Sequence, residues 1–302
     1  MRSPTPKDFL LLTFLAAIWG SAFLAIKITV EEVPPATIAA SRLIIASIVI
    51  FFYMRSRSLT FPKNKSFWLQ IIIVSFFSMA APFAMISWAE KFIDSGLTAI
   101  LMATGPLIAL ILAHFFSTDD RFTVFKFFGV IIGFSGVLII LGPDTFSGVG
   151  ENIIAQLATM VAAMCYACSG ILVRRVKEKS NTVITASILI SATLLILPVS
   201  LFFEAPWNAL PSSSWESLSA LVYLGIIPTA LAFVLRFYLI REVGVTFASY
   251  VGYLVPFFGV LWGALFLSER LPPATMIALV LIVLGIAVSR LSKDLILGWA
   301  KH

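Results

Sequence analysis

Residues 103–116 read ATGPLIALILAHFF, and residues 253–266 read YLVPFFGVLWGALF. Each is an apolar run of good helix formers, and each carries a proline at the same place, Pro106 and Pro256. Proline in a helix interior removes a hydrogen bond and clashes with the preceding turn, at roughly 3 kcal/mol in water. The same awkward residue in the same setting, twice, indicates a chain written twice. The match extends outward. Residues 107–140, LIALILAHFFSTDDRFTVFKFFGVIIGFSGVLII, align with 257–288, FFGVLWGALFLSERLPPATMIALVLIVLGIAV, with at most a one-residue gap. Phe116 falls on Phe266, Gly136 on Gly285, and Ala109 and Ala113 on Gly259 and Gly263. AAIWGSAFLAIK (16–27) matches AAMCYACSGILVR (162–174) more loosely, placing Trp19 on Tyr166 and Lys27 on Arg174.

The composition says where such a chain lives. Of 302 residues, 60% are hydrophobic and 12% charged, with a mean hydropathy of +1.03. Soluble domains are nearer half apolar and a quarter charged, so this is a polytopic membrane protein. The net charge of +6 lies in short gaps between apolar runs, which fits membrane topology and not a nucleic-acid partner. Cys165 and Cys168 are too few for a disulfide framework or a zinc site and read as small packing residues. The basic, then apolar, N-terminus resembles a signal peptide, but its apolar run reaches Val30 and is long enough to span.

Runs of spanning length occur near 8–30, 35–54, 66–90, 95–117, 123–142, 151–173, 181–203, 214–240, 245–267 and 273–291. The fold class is therefore all-α, with ten transmembrane helices. Five fall in residues 1–143 and five in 144–302. An odd number of spans per half turns the second copy upside down, which makes an inverted repeat of the kind secondary transporters use. Lys and Arg crowd one set of ends: Arg2, Lys7, Arg55, Arg57, Lys63, Lys65, Arg121, Lys126, Arg174, Arg175, Lys177, Lys179, Arg241, Arg290, Lys293 and Lys301. The opposite set holds Lys91 and Arg270. The positive-inside rule then predicts cytoplasmic N and C termini. The tail 292–302 reads as a short interfacial helix. Gly129 with Gly133, Gly259 with Gly263, and Ala109 with Ala113 have the spacing of close helix crossings and read as frame.

Three stretches resemble a known family: AAIWGSAFLAIK, ISWAEKFIDSGLTAILMATGPLIALILAHFF (86–116) and LIREVGVTFASYVGYLVPFFGVLWGALFLSERL (239–271). They look like EamA-type members of the drug/metabolite transporter superfamily. The resemblance spans nearly the whole chain as two repeats. It implies ten helices, a central cavity between the halves and alternating access, in a carrier that exports amino acids or related metabolites across a bacterial inner membrane. Uptake or exchange of a sugar, nucleotide or drug-like solute is the alternative. A membrane enzyme would need a convergent polar cluster, and none of the metal, phosphate-loop or nucleophile motifs is present. The expectation is a non-enzyme without cofactor or metal, handling a small-molecule substrate among lipids. It is taken as a monomer, with a weak homodimer left open.

Candidate substrate contacts are Trp19, Ser21, Trp88, Glu90, Thr104, Tyr166, Ser169, Tyr238, Ser249, Tyr250 and Tyr253, on the helices that the family packs around its cavity. Tyr250 and Tyr253 share one helical face. Matched prolines point to a transporter's moving parts, so Pro106 with Pro256, and Pro82 with Pro228, are candidate kinks beside the cavity. Glu90 is the one carboxylate placed inside the outer leaflet, where it takes a substrate amine or a proton, or pairs with Lys91, Lys27 or Arg42. Arg42 reads first as the partner of Glu31, Glu32 or Glu90, and second as a contact to an anionic substrate group. Arg236 reads as snorkelling near an inner end, and His114 as packed.

Overall fold

Apolar length decides the elements. A computed structural model describes residues 2–93, 98, 101–116, 123–141, 152–178, 180–266 and 274–289, and every regular element in them is helical. The first three helices are α1 (Pro6–Val30), α2 (Pro35–Ser56) and α3 (Lys65–Ala89). Next come α4 (Gly105–Phe116), α5 (Val124–Leu141), α6 (Ile153–Arg174) and α7 (Asn181–Phe203). The last are α8 (Trp215–Glu242), α9 (Val251–Phe266) and α10 (Ala274–Val288). Short helices Pro206–Ser212 and Val245–Ser249 precede α8 and α9. Six of these, α1, α2, α3, α6, α7 and α8, are long and apolar enough to cross a membrane; α4, α5, α9 and α10 are shorter and apolar. The chain is a multi-pass membrane protein. Its outside is correspondingly greasy, with Phe52, Phe115, Phe202 and Phe203 exposed. The predicted tail helix, Arg121, Lys179, Arg270, Arg290, Lys293 and Lys301 lie outside the described residues.

The packing has a rule. α5 lies along α10, and α2 along α7. α1 packs on α9 and α8, and α6 packs on α4 and α3. Advancing every helix number by five turns α1–α9 into α6–α4 and α1–α8 into α6–α3, and maps α5–α10 and α2–α7 onto themselves. The tightest crossings need glycine. A Cβ on Gly285 would sit 2.5 Å from the Gly129 carbonyl oxygen and the Gly133 nitrogen. A Cβ on Gly20 would sit 2.7 Å from the Phe258 Cβ, where α1 meets α9. A displaced backbone is the only remedy at such distances, which accounts for Gly129 and Gly133 opposite Gly285, whereas a Cβ on Gly259 would meet only the Gly20 carbonyl oxygen at 3.9 Å.

The prolines divide into two kinds. Pro228 lies in a π-helical stretch, Gly225–Leu231, inside α8. Pro82 follows a π-helical stretch, Phe76–Ala80, inside α3. Wide turns at both places give the ring room against the preceding carbonyls. Pro256 is inside α9. Pro106, expected within a helix, stands instead at the second residue of α4, after a turn at Ala103 and Thr104. A first-turn amide has no intrahelical partner to lose, so proline costs little there.

Candidate functional site

The helices enclose a cavity of about 150 Å³. α1 supplies Trp19 and Phe23, α2 Arg42, α3 Phe83 and Ser87, and α4 Gly105, Pro106 and Ala109. From the second half come Tyr166 on α6, Phe233 and Arg236 on α8, and Ser249 with Gly252 around the start of α9. Ala109, read from the sequence as frame, thus also faces the cavity. Trp19 and its repeat mate Tyr166 both meet Phe233, at ring-centre distances of 5.5 and 6.5 Å. The volume matches a solute about the size of benzene.

Two buried cations dominate the wall. Arg42 is 4% exposed and Arg236 7%. Arg42 stands over the Phe83 ring at 3.9 Å, and its Nε donates to Thr229 Oγ1 at 2.9 Å. Among the described residues its two NH2 groups have no hydrogen-bond partner. Arg236 donates through one NH2 group to the Tyr166 carbonyl (2.9 Å) and Ser169 Oγ (3.2 Å). Its other NH2 group is buried without a partner. The guanidinium sits 5.0 to 5.6 Å from the rings of Tyr166, Phe233 and Phe237. Among the described residues neither arginine forms an ion pair. Cation–π contacts therefore hold two permanent charges in place without neutralising them.

Both positions differ from the sequence reading. The expected partners of Arg42 are engaged elsewhere or unpaired. Glu32 accepts from Ser214, and Glu90, though within electrostatic reach of Lys27 and Arg42, has both oxygens buried without a hydrogen-bond partner. Arg236 does not snorkel, because α8 runs on to Glu242 and leaves Arg241 to serve its end. His114 is exposed, with its ring against Phe115.

Of the candidate contacts, Trp19, Tyr166, Ser249 and Pro106 line the cavity, and Ser169 anchors Arg236 behind it. Glu90 lies outside the wall. Ser21 bonds Tyr223, Thr104 turns back to the Leu101 carbonyl, and Trp88 packs on Phe92. Tyr238 accepts from Arg2 near the end of α8. Tyr250 and Tyr253 do share a face, stacked at 6.1 Å, but it is turned into the core. Tyr253 donates to the Val130 carbonyl on α5, while Val251, Gly252 and Val255 take the cavity side.

Residues 8–142 and 153–291 each match the EamA-like transporter family. The chain belongs to that family. Similar proteins include the uncharacterized transporter YoaV of Bacillus subtilis (strain 168), 25% identical over 89% of this chain and 91% of its own. Another is the uncharacterized inner membrane transporter YedA of Escherichia coli (strain K12), 26% identical over 93% and 90%. One protein of known crystal structure superposes with a TM-score of 0.79 at 20% identity, covering 95% of this chain and 97% of its own, and so shares the fold. This EamA-family chain is a transporter and not an enzyme.

Proposed function

We propose that the ten helices form two inverted five-helix repeats, residues 1–143 and 144–302. They rock about the cavity and export small amphipathic metabolites, amino acids foremost, by alternating access. The observation that carries this reading is a cavity walled by both halves, with interrupted helices from each at its edge. The exchange of helix contacts on adding five supports the repeat. The one-sided Lys and Arg excess supports cytoplasmic termini in a bacterial inner membrane. Arg2 also ties the N-terminal segment to Glu242 at the end of α8, putting those two points on one side. The partners are the substrate and lipid, with no nucleic acid, and the working unit is a monomer, with a weak homodimer as the alternative.

The test is flux of a labelled amino-acid panel through reconstituted liposomes, with and without a proton gradient. No flux for any amino acid sinks the export reading. Glu90 is proposed to couple protons, because its carboxylate is buried, unpaired and near two cations. Glu90→Gln is then expected to abolish any gradient dependence, and an unchanged dependence removes Glu90 from that role.

A further inference from the structure

The cavity is apolar except for a small polar group of side chains, and its charges are all of one sign. Among its described lining residues there is no Asp or Glu, whereas Arg42 and Arg236 are both present. Arginine stays protonated in proteins, so burial cannot be relieved by losing a proton. A buried charge is costly unless it is paired and hydrogen-bonded. Here each guanidinium is fastened through part of its donor set and, among the described residues, keeps other donors unused: both NH2 groups of Arg42 and one of Arg236. The two lie on helices from opposite halves, and both are within electrostatic reach of Tyr166. The Ser87 hydroxyl, also on the wall, is buried without a partner. The side chains thus offer donors and positive charge, next to rings and aliphatic groups.

We infer that the cavity recognises its substrate through a carboxylate held between Arg42 and Arg236, and that a substrate ammonium is dispensable. This rests on the transport reading above and narrows its substrate class. The solutes are small monocarboxylates with an apolar body, and amino acids belong as zwitterionic members whose ammonium finds hydroxyls but no counter-charge on the wall. The carboxylate supplies the acceptors that the free guanidinium groups lack, and the apolar body fills the space beside Trp19, Phe83 and Phe233. Because the arginines come from the two halves, carboxylate binding bridges the elements that rocking would part.

A matched series tests this on the purified full chain, by calorimetric binding and thermal shift at neutral pH. Leucine carries both groups, 4-methylpentanoate only the carboxylate, and 3-methylbutylamine only the amine. The first two are expected to bind and stabilise the protein, the deaminated acid at least as tightly as leucine, and the amine not at all. Arg42→Gln and Arg236→Gln should each weaken 4-methylpentanoate about tenfold or more, the loss expected for a charge-assisted hydrogen bond. Arg42→Lys, which keeps the charge, should fall between. Binding of the amine as tight as that of the acid overturns the inference. So does failure of 4-methylpentanoate to bind, or full affinity in both Gln variants. The wild-type series needs no variant to fold. Carboxylate binding without flux in liposomes would refute the transport reading and leave this inference standing.

Discussion

α3 and α8 are counterparts under the exchange of halves, and each has a π-helical stretch with a proline in it or just after it. Their surroundings differ. At Pro228 the loosened backbone is laced up. The Thr229 hydroxyl donates to the Leu224 carbonyl (2.7 Å), four residues before the proline, and accepts from Arg42 on α2. The Pro228 carbonyl accepts from Trp19 Nε1 on α1 at 3.0 Å. Along α3 the Ser75 hydroxyl donates to the Ile71 carbonyl, but Ser78 Oγ, Ser87 Oγ and, just past the end of the helix, both Glu90 oxygens are buried with no partner among the described residues. The same backbone device is therefore a three-helix knot in one half and an open polar seam in the other. Unpaired polar groups are expensive at membrane depth, so the seam holds free energy that the knot has already released.

The knot can be cut directly. Thr229→Val removes the acceptor for the Arg42 Nε and the donor to Leu224, and should cost about 2–3 kcal/mol by denaturant midpoint in detergent. Thr229→Ser keeps both bonds and should restore most of the loss. A valine variant as stable as wild type would mean that the knot stores nothing. Trp19→Phe retains a ring against Phe233 but deletes the bond to Pro228, and should cost about 1 kcal/mol. On the seam the sign reverses. Ser78→Ala deletes a hydroxyl that has nothing to lose, so its stability should be unchanged or raised by up to about 1 kcal/mol. A clear destabilisation there would show that the seam is paired in the working protein, and the contrast with α8 would fail.

These residues also show what the sequence could reveal. The twofold sequence repeat, six of the spans and the membrane class were legible because they depend on hydrophobic length and self-similarity. Repeat pairing likewise matched Trp19 with Tyr166, and both line the cavity. Depth and facing were not legible. The residues from 225 to 231 read as ordinary helix with a proline, and with α8 continuing to Glu242, Arg236 is a cavity residue and not a snorkel. For Tyr250 and Tyr253 the spacing fixed a shared face, but only the packing of α9 against α5 decided that it points inward. The first reading of Arg42, as the partner of a protein carboxylate, failed for a different reason. Its charge called for a carboxylate, and the fold answered with a hydroxyl and an aromatic ring.

The smallest expected effect lies where the two helices begin. α3 is capped by Asn64, whose side-chain oxygen accepts from the Ser66 N–H at 2.8 Å. α8 is capped by Ser214, whose Oγ accepts from the Ser217 N–H at 3.2 Å while its own N–H and hydroxyl donate to Glu32 at 2.7 and 2.9 Å. The Ser217 hydroxyl, and then the Ser214 N–H and hydroxyl, hold the Glu32 carboxyl below its ordinary value of 4.5. A group lowered on folding adds stability that is fully present above the unfolded value and disappears as pH falls through the folded one. Glu32→Gln should therefore lower the Tm slightly at pH 7, and the gap to wild type should close below about pH 4. The effect is small because Glu32 is exposed and its bonds compete with water. Asn64→Ala removes a cap that does not titrate, so its Tm deficit should stay the same across that range. A Glu32→Gln gap that also stayed constant would show that its carboxylate charge adds nothing to the start of α8, and the contrast between the two caps would disappear.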